Sequence, residues 1–270
     1  MDRHTRAARD RRGGRCTLMN ARELRRMYEL ESTYWWFVGR RHVIRAWLER
    51  LAAGLPDSPR ILDVGCGTGG NALLLQEFGR VTGVDVAETA LEFCRERGME
   101  DLARCSADDL QAPDESFDLV TSFEVFEHVE DHARAAREAA RVLKPGGKLL
   151  VTVPAYQWLW SDHDVALGHR RRYSRRELVG LLEAAGLEVE RLSHCVSFLL
   201  PLTVLFRWGQ RLVRKIKPTT GEPQSGLVLL PRPISFLFAW SLRLEAALLR
   251  YMDLPWGVTL IAQAARKPIE

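Results

Sequence analysis

The decapeptide ILDVGCGTGG at residues 61–70 constrains this chain more than any other stretch. Ile61, Leu62 and Val64, interrupted by Asp63, run into Gly65, Gly67, Gly69 and Gly70, and a helical pattern from Asn71 to Phe78 follows at once. A strand, a turn dense in the residue that adopts positive φ without strain, and a helix with no spacer form a unit whose ligand sits where strand gives way to helix. Gly65, Gly67 and Gly70 satisfy G-x-G-x-x-G, the template of a dinucleotide pyrophosphate site.

Asp63 opposes that ligand. It stands two residues before the first glycine, and a buried carboxylate there repels a pyrophosphate, whose binding relies on helix N-terminal amides. A cationic ligand reverses the sign. S-adenosylmethionine, with a sulfonium and an ammonium, fits a turn that allows close backbone approach beside an acid. Asp85, at the end of the strand in VTGVDVA and 20 residues after Gly65, has the spacing of an acid that accepts hydrogen bonds from ribose hydroxyls.

The rest of the chain supplies the sheet. Residues near 60–64, 81–85, 102–106, 117–122, 148–153 and 188–194 read as strands with helices between most of them, and GVTLIAQAAR at 257–266 reads as a last strand. Such alternation predicts an α/β fold, a mostly parallel sheet covered by helices on both faces. Residues 19–55 read as an N-terminal helical cap, with helices at 21–31 and 40–53 around STYWWFVGRR. Tyr34, Trp35, Trp36 and Phe37 are either a wall over the cofactor or an apolar acceptor, or core packing. Residues 56–196 with 256–270 then form the cofactor-binding domain.

Charge is unevenly spread. Of a formal net charge of +4, residues 1–26 carry nine Arg against Asp2, Asp10 and Glu23, so the remainder is slightly acidic. Residues 1–18 are too poor in apolar side chains to offset the entropy of ordering and read as a flexible basic arm, a solvated tail rather than a nucleic-acid arm. Met19, followed by Asn20 as a helix cap, is an alternative start. The first residues lack the apolar run of a signal peptide, and five scattered cysteines without a C-x-x-C pair favour a reducing cytoplasm.

Residues 197–255 break the strand–helix alternation. SFLLPLTVLFRWGQRLVRKIK and LLPRPISFLFAWSLRLEAALLRYM are strongly apolar, dense in Trp and Phe and edged with Arg and Lys. Neither offers the roughly 18 uncharged residues of a membrane span. The segment reads as an apolar helical insertion before the last strand, with four readings: peripheral contact with the inner face of a membrane, a lid over an apolar substrate, a homodimer surface, or simple packing on the sheet.

ILDVGCGTGG, VTGVDVA, SFDLVTSFEVFEHVED and RVLKPGGKLLVTVP, in this order over residues 60–155, resemble the successive motifs of the class I S-adenosylmethionine-dependent methyltransferases. The resemblance implies a Rossmann-like sheet of seven strands with the last antiparallel, the glycine loop on the methionine moiety, and Asp85 on the ribose. It gathers Asp63, Gly65, Cys66, Gly67, Gly69, Val86 and Phe123 around S-adenosylmethionine, with S-adenosylhomocysteine as product. An acid after the third strand commonly meets the adenine in that family. CSADDL has Ser106 in its place, which passes the contact to the Ala107 amide with Asp108 nearby. KPGG at 144–147 is the turn before the fifth strand. YWWFVGRR and WSDHDVALGHRRRYSRREL are similar to segments of bacterial type-11 or type-12 methyltransferases associated with polysaccharide or lipid-linked sugar pathways.

Methyl transfer from a sulfonium needs proximity, and a base if the acceptor is a hydroxyl. FEVFEHVED puts Glu124, Glu127 and His128 at i, i+3 and i+4, on one side of a helical turn at a strand's carboxyl end. His128 serves there as general base with Glu124 near the cofactor; or the trio binds Mg²⁺, as the resemblance of E-x-x-E-H to ubiquinone-pathway O-methyltransferases and plant small-RNA 2′-O-methyltransferases implies; or the residues shape the pocket. His163 and His169 are candidates for a second base or a remaining ligand. Arg170, Arg171, Arg172, Arg175 and Arg176 offer planar donors for phosphate or carboxylate, with Ser174 capping a helix at 175–185. The expected activity is O-methylation, less readily N-methylation, of a small or lipid-linked acceptor with an anionic group. RNA methylation through the Arg-rich segments and a membrane-associated scaffold that keeps the cofactor fold are the alternatives.

Overall fold

A computed structural model describes residues 21–216 and 230–267; the basic arm and the alternative start lie outside the described residues. Two helices, α1 (Ala21–Leu30) and α2 (Trp35–Ala52), precede the alternating core: β1 (Arg60–Val64), α3 (Gly70–Leu75), β2 (Arg80–Asp85), α4 (Glu88–Glu96), β3 (Leu102–Arg104), β4 (Phe117–Phe123), α5 (His132–Val142), β5 (Leu143–Pro154), α6 (Asp162–Ala166), α7 (Arg175–Ala184) and β6 (Leu187–Cys195). Helices α8 (Leu200–Ile216) and α9 (Arg232–Leu248) then intervene before β7 (Thr259–Arg266).

Seven strands form one sheet in the order β3-β2-β1-β4-β5-β7-β6. Among them β7 runs antiparallel to its neighbours β5 and β6, so the fold is the Rossmann-like, mostly parallel α/β sheet expected. Strand order reverses between β1 and β4, and the crevice at their carboxyl ends is where such a sheet holds its ligand. The strands read as continuous apolar runs because both faces are covered. Leu62, Val64, Val120, Leu149 and Val151 pack on one face in a cluster that includes Ala136 and Ala139 of α5 and Leu178 and Leu182 of α7. Their neighbours Ile61, Leu119 and Leu150 pack on the other face with Ile44, Trp47 and Leu48 of α2 and Leu242 and Ala246 of α9.

Two close approaches fix the cap. Gly39 lets α2 meet α9: a Cβ there would lie 2.3 Å from Leu242 Cδ1. Tyr28 of α1 stacks on Phe93 of α4, ring centroids 4.6 Å apart. Trp35 and Trp36 pack with the α2–α9 core, and Trp35 meets Phe238 edge-on. Trp35 and Trp36 of the aromatic cluster thus pack against the core.

Local details differ from the sequence expectations. α2 begins at Trp35, so the aromatic cluster opens the helix instead of preceding it. α3 stops at Leu75, short of Phe78, and short turns such as Phe78 N–H to Leu75 O follow it. β5 begins at Leu143, so KPGG lies inside the strand as an irregularity, with Gly146 at φ 77°.

Candidate active site

The glycine turn is built by hydrogen bonds that pin it to β2. The amides of Gly65 and Cys66 both donate to Val84 O, at 2.7 and 3.0 Å. Gly65, Gly67 and Gly69 all have positive φ, which is why glycine is needed at all three. Gly69 is the N-cap of α3. Cys66 is buried under the turn, its Sγ 3.8 Å from Cys94 Sγ.

Asp63, at the end of β1, is buried. Its Oδ1 accepts from Thr121 Oγ1 at 2.8 Å, and its Oδ2 has no hydrogen-bond partner. Burial pushes its pKa up to about 7 against the pull of that hydrogen bond, and the Asp85 charge adds to the rise. Asp85, at the end of β2, accepts from the amides of Gly67 (Oδ2, 3.0 Å) and Ala87 (Oδ1, 2.9 Å). It too is raised by burial. Beyond β3, Ala107 is buried and Asp108 accepts from the Ser106 hydroxyl. Val86 O takes Arg104 Nε at 3.0 Å, and Phe123 ends β4 in the core.

A support for the turn escaped the sequence reading. Glu31, just beyond α1, is buried and accepts from Thr68 Oγ1 at 2.6 Å and from Arg97 Nη2 at 3.1 Å. Arg97 Nε in turn donates to Thr68 O at 2.7 Å. Gly70 allows this approach, since a Cβ there would sit 2.2 Å from the Glu31 carboxyl carbon.

After β4 the chain does not form the helical turn expected of Glu124, Glu127 and His128. Glu124 is left-handed, at φ 59°, and only the turn closed by the His128 amide on Val125 O follows it. Glu124 Oε1 lies 4.0 Å from Arg40 Nη2, which also donates to Thr152 Oγ1 at 3.2 Å. Glu127 is fully buried and neither carboxylate oxygen has a hydrogen-bond partner. Burial, and then the Glu124 charge, push its pKa well above the usual range. His128 is pulled down to about 4 by burial and by His169.

The loop after β5 closes over this turn. The imidazoles of His128 and His169 meet edge-on with centroids 4.8 Å apart. His169 Nδ1 is 3.0 Å from Asp164 Oδ1 and its Nε2 is 4.0 Å from Glu127 Oε1. Burial alone would raise the Asp164 pKa, but the bonds from His169 and Arg172 and the charge of Arg207 hold it well below the usual carboxylate range. Ligand atoms of Glu127, His128 and His169 lie within 4.8 Å of one another. Of the candidates named from the sequence, Glu127, His128 and His169 thus come together, with the Glu124 charge acting on Glu127 from beside them. His163 is not in the cluster; burial lowers its pKa to about 4.

The arginine run is mostly consumed by structure. Arg172 is buried, donating to Asp164 Oδ1 at 2.7 Å and to Ala155 O at 3.0 Å. Arg170 Nε and Arg171 Nη2 donate to the carbonyls of His128 and Glu130. Arg170 and Arg171 thus clamp the loop after β4, while Arg175 and Arg176, in the first turn of α7, are exposed. Ser174 caps α7 with Glu177 in a reciprocal capping box.

The family described as "Methyltransferase domain" matches residues 62–151. A probable S-adenosylmethionine-dependent methyltransferase of Mycolicibacterium smegmatis is 37% identical over 165 residues, covering 59% of this chain and 62% of the relative. A ubiquinone biosynthesis O-methyltransferase of Idiomarina loihiensis is 35% identical over 151 residues, covering 48% and 61%. The chain spans about three fifths of the length of the first curated relatives it matches. An S-adenosylmethionine-dependent methyltransferase from Thermotoga maritima shares the fold with a TM-score of 0.56 at 22% identity, covering 92% of this chain and all of that one (100%).

Proposed function

Residues 62–151 match a family described as a methyltransferase domain, and on that premise we propose that the chain is a class I S-adenosylmethionine-dependent methyltransferase that moves the methyl group of this cofactor to an oxygen of a small or lipid-linked acceptor. The observation that carries the reading is Asp63 Oδ2, buried beside the glycine turn and without a partner. An acid so placed rewards a cation and penalises a pyrophosphate. The turn and the two acids suit the cofactor: Asp63 would face its charge, Asp85 has lone pairs left for ribose hydroxyls, and Ala107 and Asp108 would meet the adenine. The cofactor supplies an electrophilic methyl carbon.

The chain's own residues position the acceptor and take its proton. His128, neutral at physiological pH because its pKa sits near 4, keeps a lone pair for that proton. Arg40, largely buried beside Glu124, would be the nearby cation for an anionic group on the acceptor. A second reading rests on a specific observation: both oxygens of buried Glu127 lack partners while His128 and His169 face the same space. Glu127, His128 and His169 would hold a divalent cation, which would polarise the acceptor oxygen.

Calorimetry with S-adenosylmethionine tests the reading. Asp85→Ala abolishes cofactor binding while the thermal unfolding transition stays close to wild type. Unchanged affinity in that variant overturns the site assignment.

A further inference from the structure

Among the described residues, a broad exposed apolar surface belongs to α8 and α9. Phe236 is 72% exposed, Leu205 67% and Trp208 60%, and Leu202, Phe206, Leu237, Trp240 and Leu244 are exposed as well. At 100° per residue, Phe236, Leu237, Trp240 and Leu244 occupy one broad arc of α9, while the buried Leu242, Glu245 and Ala246 occupy the opposite one. On α8, Leu202, Leu205, Phe206 and Trp208 face outward, and Arg207 turns inward, to within 3.6 Å of Asp164 Oδ2. Scattered exposed leucines need no explanation, whereas two helices that turn their apolar arcs to solvent do.

Charge indicates what covers these arcs. Over α8, α9 and the segment between them, residues 200–248, seven Arg and Lys stand against Glu222 and the buried Glu245, with Arg207 among the seven turned inward, in a chain whose net charge is only +4. Arg232 and Arg243, both exposed, are 11 residues apart and so line one edge of the α9 apolar arc. Aromatic and leucine side chains on one arc with cations along its edge are the composition of helices that lie in the headgroup layer of an anionic bilayer. Among the described residues no helix is long and apolar enough to cross a membrane.

Exposed aromatic side chains also stand at the edge where the site opens. Phe198, Trp158 and Trp256, all exposed, follow β6, follow β5 and precede the antiparallel β7, which places all three at the carboxyl edge of the sheet. That is the edge at which the glycine turn and the Glu127–His128–His169 cluster open.

We infer that α8 and α9 dock this chain on the surface of an anionic lipid bilayer, with the cleft mouth turned toward the lipid. The inference rests on the surface and not on the methyl-transfer reading.

Sedimentation of the full chain with phosphatidylcholine vesicles, with and without phosphatidylglycerol, tests it. The chain binds the vesicles that contain phosphatidylglycerol, and added salt weakens the binding. The paired variants Phe206→Glu/Trp208→Glu and Phe236→Glu/Trp240→Glu, all at exposed positions, lower the partition at least about tenfold while S-adenosylmethionine affinity and thermal unfolding stay at wild-type values. Absence of binding to either vesicle overturns the inference, as does equal binding by the variants. A solution dimer that these same substitutions dissociate would assign the surface to a second copy and also overturn it. Failure of cofactor binding in the wild-type chain would instead strike the methyltransferase reading.

Discussion

The imidazole of His169 lies between two acids of opposite character, 3.0 Å from Asp164 through Nδ1 and 4.0 Å from Glu127 through Nε2. Asp164 is ionised and bonded to Arg172, whereas Glu127 is buried without a donor. A carboxylate behind one ring nitrogen fixes the tautomer and aims the other nitrogen at whatever fills the gap, as in carboxylate–histidine–metal triads.

On the second reading, in which His128 is a metal ligand and not the base, a divalent cation stabilises the fold. Titration of metal-free protein with Mn²⁺ or Mg²⁺, followed by thermal unfolding, is expected to raise Tm, by the equivalent of about 2.7 kcal/mol at a hundredfold excess over Kd. Asp164→Asn should weaken that affinity by about 10- to 100-fold. No change in Tm with either ion would leave His128 acting alone.

Asp63 predicts opposite changes in stability and affinity. Its folded pKa of about 7 lies above its ordinary value of 3.8, so the folded state holds the extra proton between those limits and the group costs stability as pH rises through them. Asp63→Asn should raise the cofactor-free Tm at pH 8, by the equivalent of at most about 4 kcal/mol, and weaken S-adenosylmethionine binding at least about tenfold. In the wild type, affinity should fall below pH 7 as the proton competes with the sulfonium compound. Calorimetry in buffers of different ionisation enthalpy should detect the proton released on binding.

Glu31 ties α1 to the glycine turn. Removing one partner of a largely buried pair leaves the other charge uncompensated, so Glu31→Ala should cost about 3–5 kcal/mol in chemical denaturation. Gly70→Ala, which drives a methyl into the same carboxylate, should be destabilising by more than about 1 kcal/mol. Wild-type stability in both variants would show that the cap does not support the turn.

His128 makes a kinetic prediction. Its pKa near 4 implies kcat/KM that is flat through neutral pH and falls only on the acid side as the ring is protonated. His128→Gln should lower kcat by about 10²–10⁴-fold on the true acceptor with KM little changed. A full kcat in that variant removes the base.

The parts of the fold visible in the sequence were those with local signals. Ile61–Val64 and the glycines after it declare strand and turn within ten residues, and Asp85 follows at a fixed distance because β2 is adjacent to β1. Glu31 was not legible, because its partners Thr68 and Arg97 are 37 and 66 residues away and nothing nearby marks the acid as buried. Glu124, Glu127 and His128 show helical spacing, yet Glu124 carries a positive φ where β4 ends, so periodicity predicts a helical turn that the chain does not form. His169 reaches that turn only because Arg172 and Asp164 fold the loop after β5 back on itself, a tertiary contact without a sequence period. The apolar arcs of α8 and α9 were visible as composition, but which side faces outward depended on Leu242 and Glu245 being buried.

Titration calorimetry of S-adenosylmethionine and of NAD on the wild-type chain at neutral pH addresses the central claim, that the acid beside the glycine turn selects a positively charged ligand. The sulfonium compound should bind at one site per chain, and NAD should produce no saturable heat. Saturable binding of NAD with S-adenosylmethionine excluded would contradict the account.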